Sequence, residues 1–336
     1  MGPREMKKPT LEMVAAHAGV SRATVSRVVN GTPTVEPTIA SRVKRSIDEL
    51  NYVPNRAARS LASNRSGAIA LVVPESASKV FTDPFFGSVV QGIASVMEDT
   101  DFTLTMIIES ESTADKTRRY LTDGNVDGAL IVSHHTGDHS YGELSEKVPL
   151  VFGGRPVEGP TGATCVDVDN LAAARAAVSY LIDHGRSRIA TIAGPQTMRP
   201  GIDRLEGWRA VIEEAGLTPG PVAYGDFTTL SGARAARELL ASGEAFDAVF
   251  AANDQMALGG YPVLREAGLR IPDDIAVMGF DDSPFSETSE PPLTTMSQPM
   301  IELGAEMARQ LIRLIEDRTA EPLTVLQARL VERGSV

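Results

Sequence analysis

The sequence predicts a small all-α head of the helix-turn-helix type, followed by a larger α/β body with two lobes and parallel, doubly wound sheets. Three observations lead to this fold class. Residues 10–50 contain three short amphipathic helical patterns. From Ser66 onward, short apolar segments alternate with longer amphipathic segments, which is typical of parallel sheets covered by helices. The length of 336 residues suits two or three folding units at roughly 100–200 residues each.

The composition is that of a globular protein outside the membrane. Hydrophobic residues make up 42 % of the chain and charged residues 23 %, while the longest apolar runs fall far short of the ~20 residues that span a bilayer. No secretory signal pattern follows the charged first residues. The single cysteine, Cys165, permits neither an internal disulfide nor a multi-cysteine metal site. We therefore expect a cytoplasmic protein with no membrane partner.

The net charge of −12 is unevenly distributed. Residues 1–65 carry eleven Lys or Arg and five Asp or Glu, a charge of +6, which leaves −18 for the rest of the chain. A basic head on an acidic body is expected when only the head contacts a polyanion. A solvated basic surface without a partner explains the charge alone equally well.

The head begins with two short helices joined by a tight connection. Thr10 is a plausible N-cap for a helix that ends at Gly19, and Ser21 is a plausible cap for a second helix that ends at Asn30-Gly31. A third helix begins at Pro37 and buries Ile39, Val43, Ile47 and Leu50. The first two helices form a helix-turn-helix pattern.

The segments TLEMVAAHAGVSRATVSRVVNG and ELNYVPNRAARSLAS resemble the DNA-binding head and hinge of the LacI/GalR family of bacterial transcription regulators. A generic three-helix bundle with no DNA function is the alternative. The resemblance extends through most of the chain and implies a head over residues 9–54 and a hinge over residues 55–65. The body, over residues 66–336, is implied to bind an effector and to form the dimer.

The position of each residue on the second helix indicates its role at DNA. Arg22 enters the major groove and can donate two hydrogen bonds to guanine, whereas Ala23 offers a methyl-sized contact. Arg27 is a second base reader by resemblance, or a phosphate contact. Short polar side chains suited to phosphate oxygens are Thr10, Ser21, Thr24, Ser26, Asn30 and Thr34.

The hinge is predicted to form a fourth helix from Asn55 to Ala62 only when it packs against its symmetry mate on DNA. The resemblance implies that Leu61 enters the minor groove and kinks the duplex, while the small Ala58 lets the two hinges approach. Packing of Leu61 on the body is the alternative. Tyr52, Asn55 and Arg56, at the hinge entry, are further implied DNA contacts.

The body pattern predicts two lobes of the periplasmic-binding-protein-like fold, which holds a small ligand at the carboxyl ends of its strands. By resemblance the chain crosses between the lobes more than once. We expect an amino-terminal lobe over about 66–163 plus 295–322. The carboxyl-terminal lobe is expected over about 164–294 plus 323–336.

Several body residues match effector-contacting positions of the family. Arg204, Asn253 and Asp281 supply the bidentate donors and carboxylates that sugar hydroxyls require. Phe86 and Phe227 are candidates to stack on a sugar ring, although each taken alone is better explained by a place in the core. Arg155 and Gln298 complete the set at strand ends. The chain departs from the common family pattern at Asp83, usually Asn, and at Gly154, usually Asp.

An enzyme or a transport protein is the main alternative. His134, His135 and His139 resemble a metal-binding cluster, but their Gly- and Ser-containing segment favours a solvated loop. No phosphate-binding, nucleophile-elbow or zinc-protease motif is present, so we expect no catalytic residue, metal or cofactor. A sugar-binding transport protein would have a secretory signal and no basic head.

The sequence thus predicts a homodimeric, ligand-responsive repressor of sugar-utilisation genes on a palindromic operator. Only six residues follow Leu330, which leaves no room for a tetramerising helix. Segments TDPFFGSVVQGIASVMEDTDFTLTMI and PLVFGGRPVEG resemble the cellobiose- and oligosaccharide-responsive regulators of actinobacteria. This favours release of the operator by a neutral di- or oligosaccharide. A purine or sugar phosphate acting as corepressor is the alternative.

Overall fold

The computed structural model describes residues 9–29, 34–52, 65–109, 114–136, 140–157, 163–316 and 318–336. The chain divides into two compact units, a head that ends at Gly67 and a body from Ala68 to Val336. No helix in the described part of the chain combines the length and the apolar character needed to cross a bilayer.

The head contains the helix-turn-helix as predicted. Its helices are α1 (Leu11–Ala18), α2 (Arg22–Val29) and α3 (Pro37–Glu49). Thr10 Oγ1 accepts a hydrogen bond from Met13 N at 3.3 Å, and Gly19 ends α1 at a φ of 63°, in the left-handed region that favours glycine. Ser21 Oγ accepts from Thr24 N at 3.1 Å at the start of α2.

One small apolar core holds the three head helices together. Its buried residues are Val14, Ala15, Ala18, Val25, Val43 and Tyr52. Side chains predicted to lie on the inner face of α3 (Ile39, Ile47 and Leu50) pack around this core. The predicted hinge helix from Asn55 to Ala62 lies outside the described residues.

The body consists of twelve strands and ten helices within the described residues. The strands are β1 (Ala68–Val73), β2 (Thr103–Ile108), β3 (Gly128–Val132), β4 (Leu150–Gly153), β5 (Thr164–Val168), β6 (Ile189–Ala193), β7 (Val222–Tyr224), β8 (Ala248–Ala251), β9 (Ala276–Asp281), β10 (Thr294–Ser297), β11 (Leu323–Leu326) and β12 (Arg329–Val331). The helices are α4 (Ala77–Thr82), α5 (Pro84–Met97), α6 (Ala114–Thr122), α7 (Ser140–Ser145), α8 (Asn170–Asp183), α9 (Arg199–Glu214), α10 (Thr229–Ala241), α11 (Asp254–Glu266), α12 (Pro284–Thr288) and α13 (Met300–Ile315).

These strands form two six-stranded sheets, one in each lobe. The first sheet has the order β11-β5-β4-β3-β1-β2 and the second has the order β12-β10-β9-β8-β6-β7. All pairs are parallel except β10 with β12. Ile69 and Leu71 of β1 belong to one apolar cluster while Ala70 and Val72 belong to another. Successive side chains of a strand point to opposite faces, so this sheet is covered on both faces, as predicted for a doubly wound fold.

The strand pairing differs from the predicted lobe boundaries at the crossovers. Strand β5, expected in the second lobe, pairs with β4 in the first sheet, and β11 extends that sheet beside β5. Conversely, β10 pairs with β9 in the second sheet. The first lobe therefore spans residues 68–168 and 300–326, and the second spans 170–297 and 329–336. Apolar patterns predict that a segment is a strand, but the partner of that strand depends on long-range packing.

Candidate functional site

The amino-terminal end of α2 presents the predicted base-reading residues to solvent. Arg22, Ala23 and Arg27 are exposed. Arg22 Nε lies 3.1 Å from Glu12 Oε1 on α1, and both side chains are more than half exposed. Exposed ion pairs contribute little to stability. The Arg22 guanidinium can therefore exchange this partner for DNA at small cost.

The remaining predicted head contacts divide into exposed and buried residues. Thr10, Ser21 and Thr34 are exposed, and Thr24 and Ser26 are half-buried. Tyr52 is 8 % exposed and belongs to the head core, so the structure gives it a packing role beside its predicted DNA contact. Asn30, Asn55, Arg56, Ala58 and Leu61 lie outside the described residues. Their roles stay predictions.

A cleft of about 750 Å³, measured with the solvent at its mouth, lies between the two sheets of the body. Six of the seven predicted effector residues line it: Phe86, Arg204, Phe227, Asn253, Asp281 and Gln298. They come from both lobes and from strand ends or the helices that follow them. This is the position in which open α/β sheets bind ligands.

A buried ion pair forms the floor of the cleft on the second lobe. Arg204 Nη1 lies 3.6 Å from Asp281 Oδ1 and donates to Ala252 O at 2.6 Å. The guanidinium carbon stacks 3.6 Å from the centre of the Phe280 ring. Burial lowers the pKa of Arg204 and raises the pKa of Asp281 well above its ordinary value, against the attraction of Arg204. Gln298 Nε2 donates to Asp281 Oδ1 at 2.6 Å.

Asn253 acts mainly on its neighbours. Its Oδ1 accepts from Met256 N at 2.9 Å at the start of α11, and its Nδ2 donates to Phe227 O at 3.0 Å. Phe227 has a φ of 71°, a conformation that is costly for a bulky residue. Asn253 therefore holds the Phe227 ring at the cleft wall. Phe86 is 4 % exposed and also belongs to the first-lobe core.

Sequence reasoning missed several polar residues of the cleft wall. Among them are Lys79, Ser133, His134, Asp167, Asn170 and Arg199. Asn170 Oδ1 accepts from Arg204 Nε at 2.9 Å. Two of these residues, Asp167 and Asn170, lie at the β5–α8 junction. Asp167 is a polar residue within a buried strand, and this break in the apolar pattern was the signal that could have indicated the site.

Asp83, noted as a departure from the family pattern, caps α5 by accepting from Phe85 N at 2.9 Å. Burial raises its pKa. Asp83 thus lines the cleft from the first lobe.

Arg155, predicted to contact the effector, does not line the cleft. Its Nε donates to Asp167 Oδ2 at 2.6 Å and its Nη2 donates to Asp203 Oδ2 at 2.9 Å. Asp167 belongs to the first lobe and Asp203 to α9 of the second, and the Asp167 carboxylate raises the pKa of Arg155. The residue fastens one lobe to the other beside the cleft, which corrects its expected position.

Residues 134–136 lie outside helices and strands, as predicted, but the prediction of a solvated loop is wrong for His134. His139 lies outside the described residues. His134 is 9 % exposed and its ring centre lies 5.4 Å from that of Phe152. His135 Nε2 lies 3.2 Å from Glu75 Oε1, and its Nδ1 lies 2.8 Å from Thr197 Oγ1 of the second lobe. Within the described residues, no group of three or more His, Cys, Asp or Glu is placed to hold a metal ion.

The cations that line the described cleft are each paired with a carboxylate. Lys79 Nζ lies 2.6 Å from Glu75 Oε1, and Arg199 Nε lies 3.2 Å from Asp203 Oδ1. Arg204 faces Asp281. The cleft therefore offers hydrogen-bonding groups of both polarities without an excess of positive charge.

Comparisons with known proteins agree with this geometry. Residues 10–55 match the model of the lacI family of bacterial regulatory proteins, and residues 178–336 match a periplasmic binding protein-like domain. The HTH-type transcriptional regulator CelR of Thermobifida fusca is 45 % identical over 98 % of both chains.

Two solved structures are similar over nearly the whole chain. A complex of the transcriptional regulator CelR with cellobiose is 43 % identical, with a TM-score of 0.78 over 98 % of this chain and 100 % of that one. The lac repressor dimer bound to operator and the anti-inducer ONPF is 28 % identical, with a TM-score of 0.86 over 98 % and 99 %.

A helix-turn-helix head followed by a two-lobed body with a polar cleft defines a DNA-binding transcriptional regulator that responds to a small ligand. The chain belongs to the lacI family of bacterial regulatory proteins.

Proposed function

We propose that this regulator is a cytoplasmic homodimeric repressor without enzymatic activity, which a neutral β-linked disaccharide releases from a palindromic operator. The ligand binds in the cleft between the lobes and changes their relative orientation. The change reaches the paired hinges, which lose their mutual packing on DNA. A coupling of about 1–3 kcal/mol between the two sites corresponds to roughly 5–150-fold in operator affinity.

The observation that supports a neutral ligand is that every cation in the described cleft wall is paired with a carboxylate. A phosphorylated sugar needs an uncommitted Arg or Lys, whereas Lys79, Arg199 and Arg204 each face a carboxylate. Arg155, which with Arg204 was the candidate anion site, is held by Asp167 and Asp203. The hydroxyls of a sugar both donate and accept, so they suit Asp281, Gln298 and Arg204.

The ring of Phe227 supports a saccharide in preference to a smaller polar ligand. It lies at the cleft wall, 5.9 Å from the Arg204 guanidinium, and sugars present apolar ring faces to aromatic side chains. The similarity to the CelR–cellobiose complex favours a β-linked glucose disaccharide. Cellobiose is therefore the first ligand to test.

In the head, we propose that Arg22 reads guanine and that Arg27 makes the second base or phosphate contact. Exposure of both side chains on α2 supports these roles. Thr10, Ser21, Thr24, Ser26 and Thr34 position the head on phosphates. The similar lac repressor structure is a dimer on operator, which supports a dimer with two hinges at a palindrome.

One titration tests both halves of the proposal. The operator complex is titrated with cellobiose, for the wild type, Arg22→Ala and Asp281→Ala. We expect Arg22→Ala to lose about 1–3 kcal/mol of operator affinity, because a bidentate guanine contact is lost, and to keep its cellobiose affinity. Asp281→Ala is expected to keep operator binding and to lose the response.

The controls separate the two sites. Glucose-6-phosphate and a purine base are titrated in parallel by calorimetry. Tight binding of either one, without binding of cellobiose, contradicts the neutral-disaccharide proposal. Unchanged base preference of Arg22→Ala in selection from randomised DNA contradicts the proposed role of Arg22.

A further inference from the structure

We propose that Arg333, in the segment after β12, is a positioning residue that fixes the effector-binding carboxylate of Asp281. Arg333 does not line the cleft. It acts on the turn formed by residues 281–283, which connects β9 to α12. The role of Asp281 as an effector contact rests on the proposed function, whereas the contacts of Arg333 do not.

The turn has an unusual backbone for its sequence. Asp281 has a φ of 122° and Asp282 has a φ of 60°, and neither residue is glycine. Non-glycine residues hold such angles only when their surroundings fix them, and they cluster at binding sites. The contacts around the turn therefore determine where the Asp281 carboxylate lies.

Arg333 holds the turn through hydrogen bonds to residues outside the cleft lining. Its Nη2 donates to Asp282 Oδ1 at 2.6 Å, and its Nη1 donates to Leu293 O at 2.9 Å. The backbone N of Arg333 donates to Thr294 Oγ1 at 3.0 Å. A single guanidinium thus ties the turn to the start of β10, and its planar fork allows both bonds at once.

Ser335 anchors the segment that carries Arg333. Its Oγ donates to Val277 O at 2.6 Å and accepts from Thr294 N at 2.8 Å, and the residue is fully buried. These bonds attach the segment to both β9 and β10. Arg333 consequently has a fixed base from which to hold Asp282.

Asp254 holds the other end of the turn. Its Oδ2 accepts from Ser283 N at 2.7 Å and its Oδ1 accepts from Thr295 Oγ1 at 2.6 Å. With Asp282 and Ser283 both held, the Asp281 side chain points into the cleft, where it meets Gln298 and Arg204. Loss of the Arg333–Asp282 pair frees one end of the turn and lets Asp281 leave this position.

The test compares Arg333→Gln with Arg329→Gln, a matched control on the exposed face of β12. Hydrogen–deuterium exchange of the ligand-free full-length protein is followed in peptides covering residues 276–290. Calorimetry measures cellobiose affinity, and a mobility-shift assay measures operator affinity. Asp282→Asn removes the same charge pair from the other side, and asparagine tolerates the left-handed region.

We expect Arg333→Gln to raise the exchange rate of residues 281–283 and to weaken cellobiose binding roughly tenfold, with operator affinity unchanged. Asp282→Asn should give the same result, and the double variant should lose no more affinity than either single variant. Arg329→Gln should match the wild type. Equal loss of operator and cellobiose affinity in Arg333→Gln would indicate a general structural role and overturn the proposal.

Failure of the proposed function can be distinguished from failure of the inference about Arg333. If the wild type binds no cellobiose, the ligand proposal fails and the exchange measurement still decides the role of Arg333. Unchanged exchange of residues 281–283 in both Arg333→Gln and Asp282→Asn overturns the inference whatever the ligand.

Discussion

Asp254 is a fully buried carboxylate, and burial raises its pKa from 3.8 to about 6 in spite of its bonds to Ser283, Ser286 and Thr295. A raised pKa in the folded state means that the neutral form is favoured by folding. Asp254 therefore contributes to the free energy of unfolding below about pH 4, and this contribution is lost as the pH rises through about 6.

We expect Asp254→Asn to remove this pH dependence. From pH 4 to pH 7 the free energy of unfolding of the wild type should fall relative to that of the variant by about 1–3 kcal/mol. Urea unfolding at both pH values measures it. Asp274 is the control. Arg270 lowers the pKa of Asp274 to about 2, so its contribution to the free energy of unfolding is lost only on acidification. Asp274→Asn should therefore not reproduce the change between pH 4 and pH 7. A constant difference between wild type and Asp254→Asn contradicts the prediction.

At single positions, the sequence predicted the location of the cleft residues better than it predicted their contacts. Six of seven effector candidates line it, because strand ends converge at one edge of a parallel sheet. Arg155 was misplaced because its two partners, Asp167 and Asp203, are brought together only by the tertiary fold. The burial of His134 was missed for the same reason, since its neighbour Phe152 belongs to β4, which only the folded sheet places beside β3.

Among the elements, α5 and α13 pack at unusually close range through two glycines. A Cβ atom added to Gly304 would lie 2.1 Å from Val89 O, and one added to Gly92 would lie 1.9 Å from Ile301 O. Real Cβ atoms do not approach backbone this closely, so larger residues force the helices apart. The close packing holds α13 on the first lobe, although α13 follows β10 of the second lobe in the sequence.

We expect Gly304→Ala to lower the free energy of unfolding by about 3 kcal/mol, because the methyl group meets backbone atoms that cannot move locally. Gly87→Ala, on the same helix pair, is the control. No atom lies within 4 Å of an added Cβ there, and alanine favours helix over glycine by up to about 1 kcal/mol. Equal melting temperatures for the two variants would contradict the packing argument.

The elements themselves were predictable because each has a local signal. Thr10 and Ser21 begin helices, Gly19 ends one, and Pro37 occupies the first turn of α3. The membership of β5, β10 and β11 in a particular sheet has no local signal. All three are short strands, and their partners are fixed by crossovers that sequence patterns do not record.

On the scale of the whole body, two sets of contacts join the lobes beside the cleft, and we expect them to favour a closed arrangement. Arg155 bridges Asp167 and Asp203, and Thr136 N donates to Thr197 O at 2.8 Å. A contact made only in the closed arrangement raises the population that binds ligand.

We expect Arg155→Gln to weaken cellobiose binding by roughly fivefold, or about 1 kcal/mol, because the bridge is partly exposed to solvent. Small-angle X-ray scattering should show a larger radius of gyration for the ligand-free variant and the wild-type value at saturation. Arg175→Gln is the control, because it removes an exposed pair with Glu214 inside the second lobe. Identical ligand affinity of Arg155→Gln and wild type would show that the bridge does not bias closure.

The chain passes between the lobes three times, and each passage is very short. Asp169 alone separates β5 from α8, Gln298 and Pro299 separate β10 from α13, and Gln327 and Ala328 separate β11 from β12. Two lobes that are joined by three short connections can rotate about a common hinge. A sliding motion would stretch at least one of the connections. We therefore expect a ligand in the cleft to change the angle between the lobes rather than to displace one lobe along the other.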